Sequence, residues 1–166
     1  MRVRNLTFVV LLINLWVMMI LLGSLVLETL MIYPNIFYNA PERFGIALQF
    51  MSVTGPAQYF RPFGMASVLF GVVAVIVSWP FPSVRWWVLA SVAMIACEGI
   101  VSMNYFWPRN TILFVEGAAV HSVEVLRQTA LEFQRWHWSR VAFNAASAAF
   151  IFVGFLRFYR TLLTVK

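Results

Sequence analysis

Charge is scarce in this chain: Asp, Glu, Lys and Arg make up 11% of its 166 residues, while 62% are hydrophobic. Twelve basic and six acidic side chains are too few to cover the surface of a soluble domain, so soluble enzyme folds are excluded in favour of a membrane protein. The mean hydropathy of +0.83 agrees. Cysteine is nearly absent, and the single Cys97 rules out a disulfide framework, a Cys-rich zinc site and paired redox thiols. There is no glycine-rich phosphate loop, nucleophile elbow or haem attachment motif. The net charge of +6 is not gathered into an aromatic-interleaved basic patch, so nucleic acid is not expected as a partner and the basic residues are read as topology signals.

What the chain has instead is long apolar runs. A helix needs about 20 apolar residues to cross a hydrocarbon core of about 30 Å, and four segments qualify, about 6–32, 63–79, 86–107 and 138–160. The fold class is therefore all-α, an integral membrane four-helix bundle forming one domain. The first run follows Arg2 and Arg4 but is longer than a signal-peptide core and has no A-x-A site behind it, which reads as an uncleaved anchor. Placing the N-terminus in the cytoplasm puts Arg2, Arg4, Arg85, Arg157, Arg160 and Lys166 on the inner side, in short tails and a tight turn where the positive-inside rule applies best. Both termini are then cytoplasmic, and a plasma (inner) membrane is expected. All six glutamates fall in the outer half, and the two connections there are about 30 residues each. The second, from Thr111 to Arg135, alternates Leu113, Val120, Val123, Leu126, Ala130 and Phe133 with charged residues, predicting an amphipathic helix braced by Glu124–Arg127 and Glu132–Arg135 pairs.

Ionisable groups within a bilayer are costly, so by default they are paired or functional and face the bundle interior. Glu98 follows Trp86 by twelve residues, about 18 Å of helix. On the fourth helix His137, Arg140, Asn144 and Ser147 share one stripe, and on the first Asn14, Ser24 and Glu28 share one arc. Arg140 is positioned to neutralise Glu98 or Glu28. Two readings stay open. In one, Glu28, Glu98, Arg140 and Asn144 form a buried structural network where lipid supplies no hydrophobic drive between helices. In the other they line an outward-facing pocket in which a desolvated carboxylate accepts a proton and Arg140 with Asn144 stabilises a developing anion. The only plausible metal ligands, Glu28, Glu98, His121 and His137, lack E-x-x-H or H-x-x-x-H spacing, and both histidines are read outside the deep apolar helices, so no metal or haem is expected. Ser67 with Gly71 and Ala145 with Ala149 are small pairs suited to close helix approach. Trp86, Trp87, Trp107, Trp136 and Trp138 read as interfacial belts.

Leu27-Glu28 running into Tyr33-Pro34-Asn35 and Pro41, then Phe60-Arg61-Pro62, Asn104-Tyr105-Phe106-Trp107-Pro108-Arg109-Asn110 and Trp136-His137-Trp138-Ser139-Arg140 form a pattern covering nearly the whole chain. It resembles the anthrone oxygenase-like family of small four-helix membrane proteins. The resemblance implies oxygen-dependent oxidation of an anthrone-type polycyclic phenol to a quinone without an obvious flavin or metal, so no cofactor is expected. Glu28, Asn104, His137 and Arg140 fall on its motif positions, whereas Glu98 and Asn144 enter from the helix geometry alone. The resulting expectation has Glu28 or His137 as base, Arg140 as anion stabiliser, and Glu98, Asn104 and Asn144 lining the substrate site. The expected partners are membrane lipid and a hydrophobic small molecule. The alternative is a non-catalytic subunit of a homo-oligomer or larger membrane complex, or a lipid- or quinone-binding accessory protein, which a lipid-facing stripe of small residues on the second helix would favour.

Overall fold

The computed structural model describes residues 2–164; Lys166, counted above among the basic residues of one membrane side, lies outside them. Five helices account for the fold. α1 runs Arg2–Leu27, widens into a π turn at Glu28–Ile32 and continues as Tyr33–Ile36. α2 is the short helix Phe44–Phe50, and α3 is Pro56–Ser78. α4 begins as Pro82–Val101, passes through π turns at Ser102–Phe106 and Thr111–Glu116, and ends at Gly117–Val120. α5 is the 42-residue helix Val123–Thr164. Four of them, all but α2, are long and apolar enough to cross a membrane, and the protein is an integral membrane helical bundle.

The long helices extend beyond the sequence-based boundaries, α5 to about 63 Å at 1.5 Å per residue. The expected amphipathic helix from Thr111 to Arg135 is accordingly divided between two others. Gly117 takes a positive φ of 53°, which glycine tolerates without a Cβ clash, and His121 is extended. Ser122 then opens α5, its Oγ accepting from the Val125 N–H at 3.4 Å and its carbonyl from Leu126 at 3.1 Å. The result is a helical hairpin of α4 and α5. Leu113, Leu126, Ala130 and Phe133 are buried inside it, whereas Val120 and Val123 at the tip are exposed.

Two Trp belts bracket the spanning part. Trp79, Trp86 and Trp87 lie at the end holding Arg85 and Arg157, whose guanidinium groups stand over these rings at 5.1–5.3 Å; Arg4 at the same end donates to the Thr161 carbonyl at 2.8 Å. Trp107, Trp136 and Trp138 are exposed at the other end. From Arg157 to Trp138 is about 28 Å along α5, close to one hydrocarbon thickness. The hairpin rises about 22 Å further, from Trp138 to Val123.

Each storey has its own core. Leu11, Met18, Leu25, Val88, Ile95 and Ile151 are among the residues buried within the spanning part. Tyr33, Phe44, Phe106, Leu113, Leu126 and Phe133 are among those filling the head. α3 packs by a stripe of small residues, Ser67, Gly71, Ala74 and Ser78, and a Cβ on Gly71 would stand 2.9 Å from Val92 Cγ2. Its opposite face exposes Met65, Leu69, Val72 and Ile76. Small residues thus meet the neighbouring helices and large apolar ones meet lipid. Ala145 and Ala149 are exposed, because the adjacent stripe of Asn144, Ser147, Ile151 and Phe158 takes the interior of α5. Ser91 and Ser147 clasp α4 to α5, each hydroxyl 2.9 Å from the other's carbonyl oxygen.

Candidate functional site

Between the two apolar cores lies one polar layer. Along α1 it falls between Leu25 and Tyr33, along α4 between Ile95 and Phe106, and along α5 between Phe133 and Ala148. It holds Glu28, Thr29, Glu98, Ser102 and His137, all buried, with Arg140 at its margin. Both π turns that border it end two residues before a proline, and the residue between closes each turn, Tyr33 N–H donating to the Glu28 carbonyl and Trp107 N–H to that of Ser102. Pro34 and Pro108 cannot donate to the carbonyl four residues earlier and crowd it; the i→i−5 register relieves that crowding. The sequence therefore widens α1 and α4 at the height of the site.

Arg140 ties the layer together. Its Nε donates to Glu98 Oε1 at 2.7 Å, and Ser102 Oγ donates to the same oxygen at 2.7 Å. Its Nη1 donates to His137 Nε2 at 3.1 Å. A guanidinium only donates, so Nε2 is the accepting nitrogen of a neutral imidazole and the proton sits on Nδ1. The other side agrees: Thr29 Oγ1 donates to the Leu25 carbonyl at 2.7 Å and accepts from Nδ1 at 2.7 Å. Tyr33, Phe106 and Phe133 enclose the ring, with centroids 4.7, 5.7 and 5.9 Å away.

His137 Nε2, its lone pair taken by Arg140 Nη1, stands 3.6 Å from Glu28 Oε2, and that carboxylate oxygen has no hydrogen-bond partner. Two carboxylates, one guanidinium and one imidazole thus lie within contact distance of one another in a single layer.

Of the six residues singled out from the sequence, the fold brings Glu28, Glu98, His137 and Arg140 into one connected set. His137, read from the sequence as outside the deep apolar helices, is fully buried, because α5 is continuous through it. Asn144 is buried one turn below, its Nδ2 donating to the Arg140 carbonyl at 3.1 Å and its Oδ1 without a partner. Asn104 is not part of the set: it is exposed and donates to the Ile100 carbonyl of its own helix at 2.8 Å. Its rotation of about 120° from Glu98 carries it off the interior face. Sequence reasoning missed Thr29, Ser102 and Tyr33, although Ser102 follows Glu98 by one helical turn and Thr29 adjoins Glu28.

No three His, Cys or Glu side chains converge as metal ligands among the described residues; His121 is at the hairpin tip, paired with Glu116. Glu132, expected to pair with Arg135, reaches across to Arg109 at 3.1 Å, and Arg127 Nε donates to the Ala40 carbonyl at 3.0 Å. The larger cavity, about 510 Å³, lies in the head between Asn39, Glu42, Arg43, Ile46 and Arg127. A second, of about 220 Å³, adjoins it, and neither is lined by the polar layer. The layer approaches the surface at Arg140 and Glu98, and the Arg140 guanidinium lies 5.9 Å from the Phe60 ring at the first turns of α3. That end of α3 is tied to α1 by the Tyr59 hydroxyl, 2.6 Å from Ser24 Oγ. No family model, curated protein or solved structure matches the chain.

Proposed function

We propose that this integral membrane protein is a cofactor-independent oxygenase acting on a hydrophobic, anthrone-like aromatic substrate that reaches the polar layer from the lipid beside α3. The observation that carries the reading is the unpartnered Glu28 Oε2, 3.6 Å from His137 Nε2, with Arg140 hydrogen-bonded to that nitrogen. Glu28 or His137 removes a proton from the substrate's ring methylene, leaving a carbanion delocalised into the phenolate, which Arg140 stabilises. The carbanion reduces O2 by one electron, the radical pair combines to a hydroperoxide, and loss of water leaves a carbonyl. One substrate and one O2 give one quinone and one water. The substrate displaces Phe60 and the first turn of α3 to reach Arg140. The active layer faces the side opposite Arg4, Arg85 and Arg157, which the positive-inside rule puts away from the cytoplasm of a plasma membrane.

The test is O2 consumption and quinone formation by the purified protein in lipid nanodiscs supplied with anthrone. Wild type is expected to turn over with one O2 per quinone. Glu28→Gln and His137→Gln are expected to lose about 10²–10⁴-fold if either is the base. A wild-type rate no faster than in protein-free nanodiscs sinks the proposal.

A second reading, a non-catalytic membrane subunit, draws support from the internal pairing of the layer: Glu98 and Arg140 satisfy each other, and neither of the two head cavities is lined by it. Native mass after mild detergent extraction separates the two. A stoichiometric second protein favours the subunit; a single chain or homo-oligomer favours the enzyme.

A further inference from the structure

We infer that α2 is a membrane-surface anchor, with Phe50 and Val53 inserted among the lipids of the leaflet on the head side. α2 carries two opposed apolar stripes. Phe44, Ala47 and Met51, spaced i, i+3 and i+7, pack into the head core. Ile46 and Phe50, spaced i and i+4, lie on the other face, and Val53 follows in the bend after the helix; they are 65%, 90% and 92% exposed. Phe50 and Val53 are more exposed than any of the large apolar residues along α3, so the outward stripe has no protein partner within the chain.

The height of the stripe identifies its occupant as lipid. A Cβ on Gly55, the residue preceding α3, would lie 3.8 Å from the Met51 carbonyl oxygen, so 51–55 is a tight fold-back that seats the end of α2 on the first turn of α3. That turn is level with Arg140 through Phe60, and Trp138 lies two residues further toward the head, about 3 Å along α5. Phe50 and Val53 therefore stand at the upper Trp belt, where the interfacial zone adds about 5–7 Å to each side of the hydrocarbon core. The lipid face of α3 begins at Met65, about 13 Å along the helix from Pro56. Exposed Arg61 on the first turns of α3 is placed for lipid phosphate, as expected of a basic side chain at an interface. An aromatic and a β-branched residue at this depth, beside a basic one, match the composition of helices that lie in the membrane plane.

Spin labels at Val53→Cys and Phe50→Cys on a Cys97→Ser background, in phosphatidylcholine/phosphatidylglycerol nanodiscs, test the proposal by power saturation. Both labels are expected to be relaxed more by O2 than by a water-soluble nickel chelate, as a label at Met65→Cys is, while Val120→Cys at the hairpin tip shows the reverse. Val53 and Phe50 labels that behave like Val120 overturn the inference. So does dipolar broadening between labels, which assigns the stripe to a second copy. The wild-type chain supplies an independent measurement: photoactivation of a diazirine-bearing acyl chain is expected to label 46–53, located by tandem mass spectrometry. Labelling of α3 with none in 46–53 overturns the inference equally.

Discussion

Arg140 Nε donates to Glu98 Oε1 at 2.7 Å, joining α5 to α4 where the side chains retain only 15% and 11% of their exposure. A guanidinium in this position also donates to His137, so it is both cross-brace and electrostatic centre. Removing one partner of a buried pair costs about 3–5 kcal/mol, because the other charge is left uncompensated. Arg140→Ala is expected to lower the thermal midpoint in detergent sharply, and adding Glu98→Ala to recover part of the loss. A double variant no more stable than Arg140→Ala alone argues that the pair is not coupled.

Thr29 Oγ1 is the acceptor that holds the proton on His137 Nδ1 and leaves Nε2 to accept from Arg140. Thr29→Val keeps the shape and strands that N–H, at a cost of about 1–3 kcal/mol; Thr29→Ser is expected to be close to wild type. Nitrogen NMR of labelled histidine reads the tautomer directly. Wild type is expected to show Nδ1 protonated, and a wild-type spectrum with the proton on Nε2 would refute the assigned network.

Gly71 sits where a methyl group would stand 2.9 Å from Val92 Cγ2, whereas nothing lies within 4 Å of a Cβ at Gly64. Gly71→Ala is expected to destabilise by about 1–3 kcal/mol through overpacking, with Val92→Ala restoring stability in the double variant. Gly64→Ala is expected to be harmless. Equal melting behaviour of Gly71→Ala and Gly64→Ala would show that α3 moves aside without cost.

Ser91 and Ser147 bond reciprocally across the α4–α5 seam. In membrane bundles such hydrogen bonds average about 0.6 kcal/mol. A double-mutant cycle with alanine, read by denaturant unfolding in mixed micelles, is expected to give a coupling of that size. Leucine at either position is expected to separate the helices, because neither serine has surface left to yield. Additive alanine effects would show that the clasp contributes nothing beyond packing.

Composition and hydrophobic run length were enough to determine the all-α membrane bundle, since only a helix pairs its own backbone groups in hydrocarbon. Helical periodicity likewise put His137, Arg140, Asn144 and Ser147 on one interior stripe, because 3.6 residues per turn is a property of a single helix. The end of the second spanning run before Pro80 was legible, but the head-side ends of α4 and α5 were not. The residues between 107 and 138 are polar enough to resemble a loop or a surface helix, yet they continue α4 and α5 because Leu113, Leu126 and Phe133 bury one another across the hairpin. Nor did periodicity place Asn104: its separation of about 120° from Glu98 excludes it only once α1 and α5 occupy the other face. Which carboxylate Arg140 takes, which nitrogen of His137 carries the proton, and that Glu28 Oε2 is left without a partner were decided only when three helices met. Such contacts depend on relative helix rotation and height, which a one-dimensional pattern does not encode.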